Sequence, residues 1–181
     1  MKKLHLLLAG IGLITAASLS TAYAENRPGT LSARLGGGYH WFANKRHMDD
    51  HGFVQTGLGW NFTQNWGVEA VANFFNTHFK DSVNDSREIT SRVYTFDVIY
   101  HMDPMDYGLT PYAMLGANLT TLNPNRTDSH DEGGMNGGLG LQYFVHKSVA
   151  LYVEGKDIYT FRGGKNDVEA AAGVNVLFDF C

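Results

Sequence analysis

The chain has 181 residues, enough for one domain, with a formal net charge of −4. That charge gives no basic surface for nucleic acid, and a single cysteine, Cys181, excludes an intrachain disulfide. Aromatic residues are plentiful (11 Phe, 9 Tyr and 3 Trp), and 21 Gly stand against 4 Pro.

Lys2 and Lys3 open the chain, an apolar run covers 6–16, and 18–24 ends in Ala22-Tyr23-Ala24. A basic start, a short apolar stretch and a small-x-small site describe a cleaved signal peptide. A membrane-anchoring helix would need about 20 apolar residues, more than this run supplies. We therefore expect residues 1–24 to be removed and residues 25–181 to form the mature domain. Loss of the two lysines takes the formal charge from −4 to −6. Beyond residue 24 no apolar run is long enough for a membrane helix. An exported chain of this composition is either a soluble β-sandwich or a membrane β-barrel.

Eight segments follow in which residues alternate in character, and successive strand side chains point to opposite faces. In 30–42, Leu31, Ala33, Leu35, Gly37, Tyr39 and Trp41 face away from Ser32, Arg34, Gly36, Gly38 and His40. In 52–62, Val54, Thr56, Leu58, Trp60 and Phe62 oppose Phe53, Gln55, Gly57, Gly59 and Asn61. In 66–75, Trp66, Val68, Ala70, Ala72 and Phe74 oppose Gly67, Glu69, Val71, Asn73 and Phe75. In 89–100, Tyr94, Phe96, Val98 and Tyr100 oppose Val93, Thr95, Asp97 and Ile99. The segment 109–119 is ambiguous, because Tyr112 and Met114 are apolar on the face opposite Leu109, Ala113, Leu115 and Leu119. In 134–145, Met135, Leu139, Leu141, Tyr143 and Val145 oppose Asn136, Gly138, Gly140 and Gln142. The seventh segment sets Val149, Leu151 and Val153 against Ala150, Tyr152, Glu154 and Lys156. The eighth is the cleanest, with Val168, Ala170, Ala172, Val174, Val176, Phe178 and Phe180 against Glu169, Ala171, Gly173, Asn175, Leu177 and Asp179.

Alternation alone fits a sandwich with its apolar face inside or a barrel with its apolar face toward lipid. Three features favour the barrel. The polar face is rich in glycine and poor in charge, which suits a narrow interior filled by side chains. Aromatics such as Tyr39, Trp41, Trp60, Phe62, Trp66, Phe74, Tyr100, Tyr143, Phe178 and Phe180 gather near segment ends, as girdles at two membrane interfaces require. Connections alternate in length: 43–51, 76–88 and 120–133 read as long polar loops, 63–65 and 145–148 as short turns. The stretch 102–108 is longer than a turn needs, and 161–166 is short for an outer loop. The expected fold is all-β, an eight-stranded antiparallel up-and-down transmembrane β-barrel, closed because hydrocarbon offers no partner to an open edge.

The segments LGGGYHWF, GLGWNFTQNWGVEA, TFDVIYHM, TPYAMLGANL, GGLGLQYFV and AAAGVNVLFDF, taken in order and spacing, resemble the N-terminal barrel of OmpA/OprF-type outer-membrane proteins over essentially the whole mature chain. The resemblance implies an outer-membrane location and an N-terminus in the periplasm. It also implies a last strand whose alternating aromatics are read by the outer-membrane assembly machinery. Gly173, Val176, Phe178 and Phe180 match that ending, while Cys181 departs from it, since the terminal residue is usually the aromatic itself. Many family members continue into a linker and a peptidoglycan-binding domain, so the chain is either a stand-alone barrel or the barrel part of a longer protein.

Arg34, Glu69, Asp97, Glu154 and Lys156 share the lumen parity, and charges buried in a narrow barrel need partners. They are expected to form a lumen charge network, structural in the first reading and gating in the second, as the resembled family implies. His47 and His51 flank Asp49 and Asp50, and His130 precedes Asp131 and Glu132. Flexible loops alone do not fix a metal geometry, so these histidines, with the mixed loop charges Lys45, Arg46, Lys80, Asp81, Asp85, Arg87, Glu88, Arg126 and Asp128, read as solvated loop residues. Ser129-His130-Asp131 suggests a lipid-active hydrolase, but neighbours on an extended chain point different ways, which argues against a triad. The expectation is a non-enzymatic barrel without cofactor or metal, whose role is envelope integrity and loop-mediated surface contact. The alternative is a narrow porin-like channel for ions or small solutes. Expected partners are outer-membrane lipid and lipopolysaccharide, the assembly machinery, and host or phage surfaces at the outer loops.

Overall fold

Side chains that alternate between lipid-loving and small or polar can satisfy both faces only if the sheet curls shut, and this one does. The computed structural model describes residues 26–46, 48–78, 88–124 and 130–179. Its strands are β1 (Thr30–Trp41), β2 (His51–Asn61), β3 (Trp66–His78), β4 (Glu88–His101), β5 (Leu109–Pro124), β6 (His130–His146), β7 (Val149–Thr160) and β8 (Lys165–Asp179). Each pairs antiparallel with its neighbour, and β1 pairs with β8 from Thr30↔Asp179 to Trp41↔Val168, closing the barrel. No edge is left unpaired.

The parity read from the sequence is the parity of the barrel. Leu35, Leu58, Leu115 and Leu139 lie 65–69 % exposed on the outer wall. Arg34, Gln55, Glu69, Asp97, Asn136, Glu154 and Lys156 are buried inside. The ambiguous β5 resolves the same way, with Tyr112 and Met114 buried in the lumen. Outer aromatics pair at both rims: Trp60 with Phe62 and Trp66 with Tyr100 at one end, Tyr39 with Trp41 and Tyr159 with Phe161 at the other.

Both ends of the described chain and the connections 62–65, 102–108 and 147–148 share one end of the barrel. At the first of these the Thr63 hydroxyl accepts the Trp66 amide at 2.8 Å, which tightens the turn. The other end carries the 3-10 turn Asn44–Arg46 and the turn 161–164.

The strand ends differ from two expectations. The segment read as a loop over 120–133 is largely strand, since β5 runs to Pro124 and β6 begins at His130, and the one over 76–88 gives up its ends to β3, which runs to His78, and β4, which begins at Glu88. Pairing between neighbours sets these lengths, and it continues beyond the apolar band (for instance Thr120↔Glu132). The 161–166 connection shortens to a tight turn in which Gly163 and Gly164 hold the positive φ that other residues resist. Inside the lumen Phe42, Met48, Phe53, Phe75, Val93, Tyr152 and Ile158 pack into an apolar cluster. The expected signal peptide, His47, Ser129, Phe180 and Cys181 lie outside the described residues, as do the loop charges Lys80, Asp81, Asp85, Arg87, Arg126 and Asp128.

Candidate functional site

The five charges expected to form the lumen network, Arg34, Glu69, Asp97, Glu154 and Lys156, meet inside the barrel. Arg34 on β1 is the hub. Its Nη1 donates to Glu69 Oε1 on β3, and its Nη2 donates to Glu154 Oε2 on β7 at 2.9 Å. Its guanidinium carbon lies 4.0 Å from the Tyr152 ring centroid, a cation–π contact in a dry setting. Glu154 also accepts the Tyr112 hydroxyl at 2.9 Å and the Gln55 amide at 3.4 Å, and the Tyr152 hydroxyl donates to Gln55 Oε1 at 2.7 Å.

Lys156 belongs to the same group from one position further along the lumen face of β7. Its ammonium donates to Asp97 Oδ2 at 2.8 Å and stands 3.9 Å from Glu154 Oε1. Asp97 also accepts from Thr95 at 3.1 Å and from the Asn136 amide. Three carboxylates therefore share two cations, and hydroxyls and amides donate further to Glu154 and Asp97, which is what burial of charge demands.

A second network, which the sequence reading did not anticipate, fills the long-loop mouth. Arg46, on a one-turn 3-10 helix (Asn44–Arg46) in the first connection, points inward. Its Nε donates to Asp167 on β8 at 2.8 Å, its Nη1 to Glu132 on β6 at 2.7 Å and its Nη2 to Thr160 on β7 at 2.8 Å. Lys165 donates to Glu132 at 2.7 Å. Deeper in, His40 Nδ1 lies 2.7 Å from Glu169 Oε1, and the Asn73 amide donates to Glu169 Oε2 at 2.9 Å. Arg46 and Glu132, read from the sequence as solvated loop charges, are in fact buried. Toward the opposite end a cavity of about 20 Å³, lined by Ser32, Arg34, Glu69, His101, Tyr112 and Gln142 among others, has room for about one water molecule.

The family model described as "Outer membrane protein beta-barrel domain" matches residues 7–180. The chain belongs to that family. It is accordingly an outer-membrane protein. Among solved structures, this outer-membrane barrel is similar to the N-terminal barrel domain of Pseudomonas aeruginosa OprF at 18 % identity, covering 83 % of this chain and 98 % of that one, with a TM-score of 0.62. The outer-membrane protein OprG of the same organism matches at 17 % identity, over 87 % and 99 % of the two chains, with a TM-score of 0.65. The attachment invasion locus protein Ail of Yersinia pestis matches at 15 % identity, over 83 % and 99 %, with a TM-score of 0.59. A further structure of Ail holds the heparin analogue sucrose octasulfate. The search of curated proteins finds no match.

Among the described residues of this barrel no cluster of His, Cys, Asp and Glu could hold a metal ion. His130 and Asp131 sit in the β5–β6 ladder opposite Leu122 and Thr121. Gly173 packs in the lumen against β1, while Phe178 stands exposed on the outer wall and pairs with Leu31.

Lumen glycines make the networks possible. A Cβ on Gly140 would collide with the Tyr112 ring, and Gly36 and Gly173 both lie under the Tyr152 hydroxyl. Gly140→Ala should therefore displace Tyr112 from Glu154 and destabilise the barrel by about 1–3 kcal/mol, the usual cost of overpacking. Gly137→Ala, on the outer face of the same strand with its nearest neighbour at 3.6 Å, should be close to neutral. Denaturant unfolding of the two variants in lipid vesicles makes the comparison.

Proposed function

We propose that this barrel is a structural outer-membrane protein that supports envelope integrity and offers its long-loop end to surface contacts. The observation that carries this reading is the filled lumen, in which one ion network, an apolar cluster and a second ion network crowd the interior. A pore needs a continuous wet path, and side chains pack a barrel of this size. In planar bilayers the refolded chain should add no steady conductance steps. Long-lived open-channel steps in the wild-type protein would refute the reading.

Oriented as its family implies, the barrel would place its termini and short turns in the periplasm and its long loops outside. Signal cleavage after Ala24 and recognition of Gly173, Val176, Phe178 and Phe180 by the assembly machinery belong to this reading. Lipopolysaccharide would surround the outer rim, and host or phage surfaces would meet the loops. The heparin analogue held by Ail supports such contacts as something this fold can carry. No catalytic step is assigned to the chain.

A narrow channel is the second reading, and one observation favours it. Lys156 faces Asp97 at 2.8 Å and Glu154 at 3.9 Å, so a small swing of its flexible stem would exchange partners. In that reading Lys156→Ala would change the frequency of brief openings. An unchanged record would remove it.

A further inference from the structure

The outer wall is not evenly convex. Across β5, β6 and β7 it carries a groove of about 440 Å³, whose lining includes Met102, Pro111, Leu139, Leu141, Val153 and Gly155. Leu139, Leu141 and Val153 are exposed there, and Met102 closes the lower end, its amide donating to the Pro111 carbonyl at 2.9 Å. The register shows where the groove runs. One rung of the sheet starts at Tyr100, in the aromatic rim of the short-turn end. It passes Ala113, Leu139, Gly155 and Ala170 and ends at Tyr39 in the opposite rim. The groove therefore climbs from the short-turn rim at Met102 to Gly155, which lies between the two rims. That is the path of an acyl chain within one leaflet, about 15 Å of hydrocarbon.

Gly155 supplies a second, independent observation. Lumen glycines such as Gly36 and Gly140 are forced, because a Cβ there would collide with a tyrosine. A Cβ on Gly155 would meet nothing nearer than the Glu169 carbonyl oxygen at 3.8 Å, and Gly155 does not hold a positive φ. Neither packing nor backbone conformation asks for glycine here, and glycine weakens a strand interior. What the missing side chain does is keep the upper end of the groove open.

We propose that this groove holds one acyl chain of a phospholipid from the periplasmic leaflet, as a retained lipid distinct from the fluid lipid around the rest of the wall. The occupant follows from continuity with the membrane interface: the chain belongs to an outer-membrane family, so the groove opens onto hydrocarbon. An acyl chain lying on a convex wall touches protein along one side. In the groove it is touched along its flanks as well, and gains dispersion contacts that its neighbours lack. The choice of leaflet rests on the orientation proposed above, with the short turns in the periplasm.

The test is native mass spectrometry of the barrel purified from outer membranes in mild detergent and released from the micelle. Heat-modifiable migration in gels confirms closure of each barrel. Wild type should retain one molecule with the mass of a phospholipid. Gly155→Ala, Gly155→Val and Gly155→Leu should lose it progressively as the side chain fills the groove, with about tenfold less retained by Gly155→Leu. Thr56→Leu, exposed on the outer wall of β2, should retain it as wild type does. Wild type without lipid, Gly155→Leu with as much as wild type, equal loss in Thr56→Leu, or a second copy of the chain in place of the lipid would each overturn the proposal. A retained mass of lipopolysaccharide would overturn both the occupant and the orientation on which it rests, whereas absence of any lipid would overturn the site and leave the orientation untouched. If no Gly155 variant closed into a barrel, the fold itself would require the glycine and the proposal would fail.

Discussion

Arg34→Ala should lower the unfolding free energy of the barrel by about 3–5 kcal/mol, the cost of leaving buried carboxylates without their cation. Glu69 is paired with Arg34, and Glu154 receives from it a charged hydrogen bond at 2.9 Å. The side chains of all three are 5 % exposed or less, so bulk water cannot replace the guanidinium. Glu154 would keep Tyr112 and Gln55 as donors and Lys156 at 3.9 Å, whereas Glu69 would lose its ion-pair partner. The stacking of Arg34 on Tyr152 would go as well. The penalty comes from stranded charge more than from a missing contact, which makes a second variant decisive. Arg34→Ala combined with Glu69→Gln removes the stranded carboxylate and should recover part of the loss. Urea titration in lipid vesicles, followed by tryptophan emission, measures both. A loss under about 1 kcal/mol for Arg34→Ala would mean that water enters the lumen freely and the network is not a seal.

How far such a network can be read from a sequence depends on what fixes each residue. Arg34, Glu69, Asp97, Glu154 and Lys156 were legible because a period of two assigns every strand residue a face, and closure turns one face into a lumen. Their pairing was not legible. Arg34 and Glu154 are 120 positions apart and meet across the interior, where register and barrel curvature decide the partner. Arg46 left no signal, because parity says nothing about a residue in a connection. Glu132 and Asp167 did leave one. Each keeps the parity of a residue already placed inside, Asn136 and Glu169 respectively, but turn-forming Asn, Asp, Ser and Gly nearby suggested that the strands ended sooner. Extending the alternation by a few residues at the long-loop end would have placed both in the mouth. The apolar lumen cluster was partly legible: Phe53, Phe75 and Val93 have the inward parity and were placed on that face, but their packing with Phe42 and Met48 of the first connection follows from the fold.

The inside-out polarity on which the whole assignment depends gives a prediction of its own at Leu58. This residue is 69 % exposed and lies on the outer wall of β2, between Ala33 of β1 and Ala70 of β3. In a soluble protein a leucine this exposed could become arginine with little effect, or with a gain in solubility. On a wall facing acyl chains the charged head must reach the interface or drag water inward, at about 2–4 kcal/mol near the bilayer midplane. Leu58→Arg should therefore destabilise the barrel in lipid vesicles by up to that amount, the cost falling toward the Trp60 rim. Gln55→Arg would be no control, since it points inward against Glu154 and Tyr152. The informative companion is a leucine-to-arginine scan over Leu35, Leu58, Leu115 and Leu139, which face outward from four different strands. Comparable penalties at all four would trace a continuous apolar belt around the barrel. A neutral result at one of them would locate a break in the belt, and neutrality at all four would mean that the outer wall meets water and not lipid.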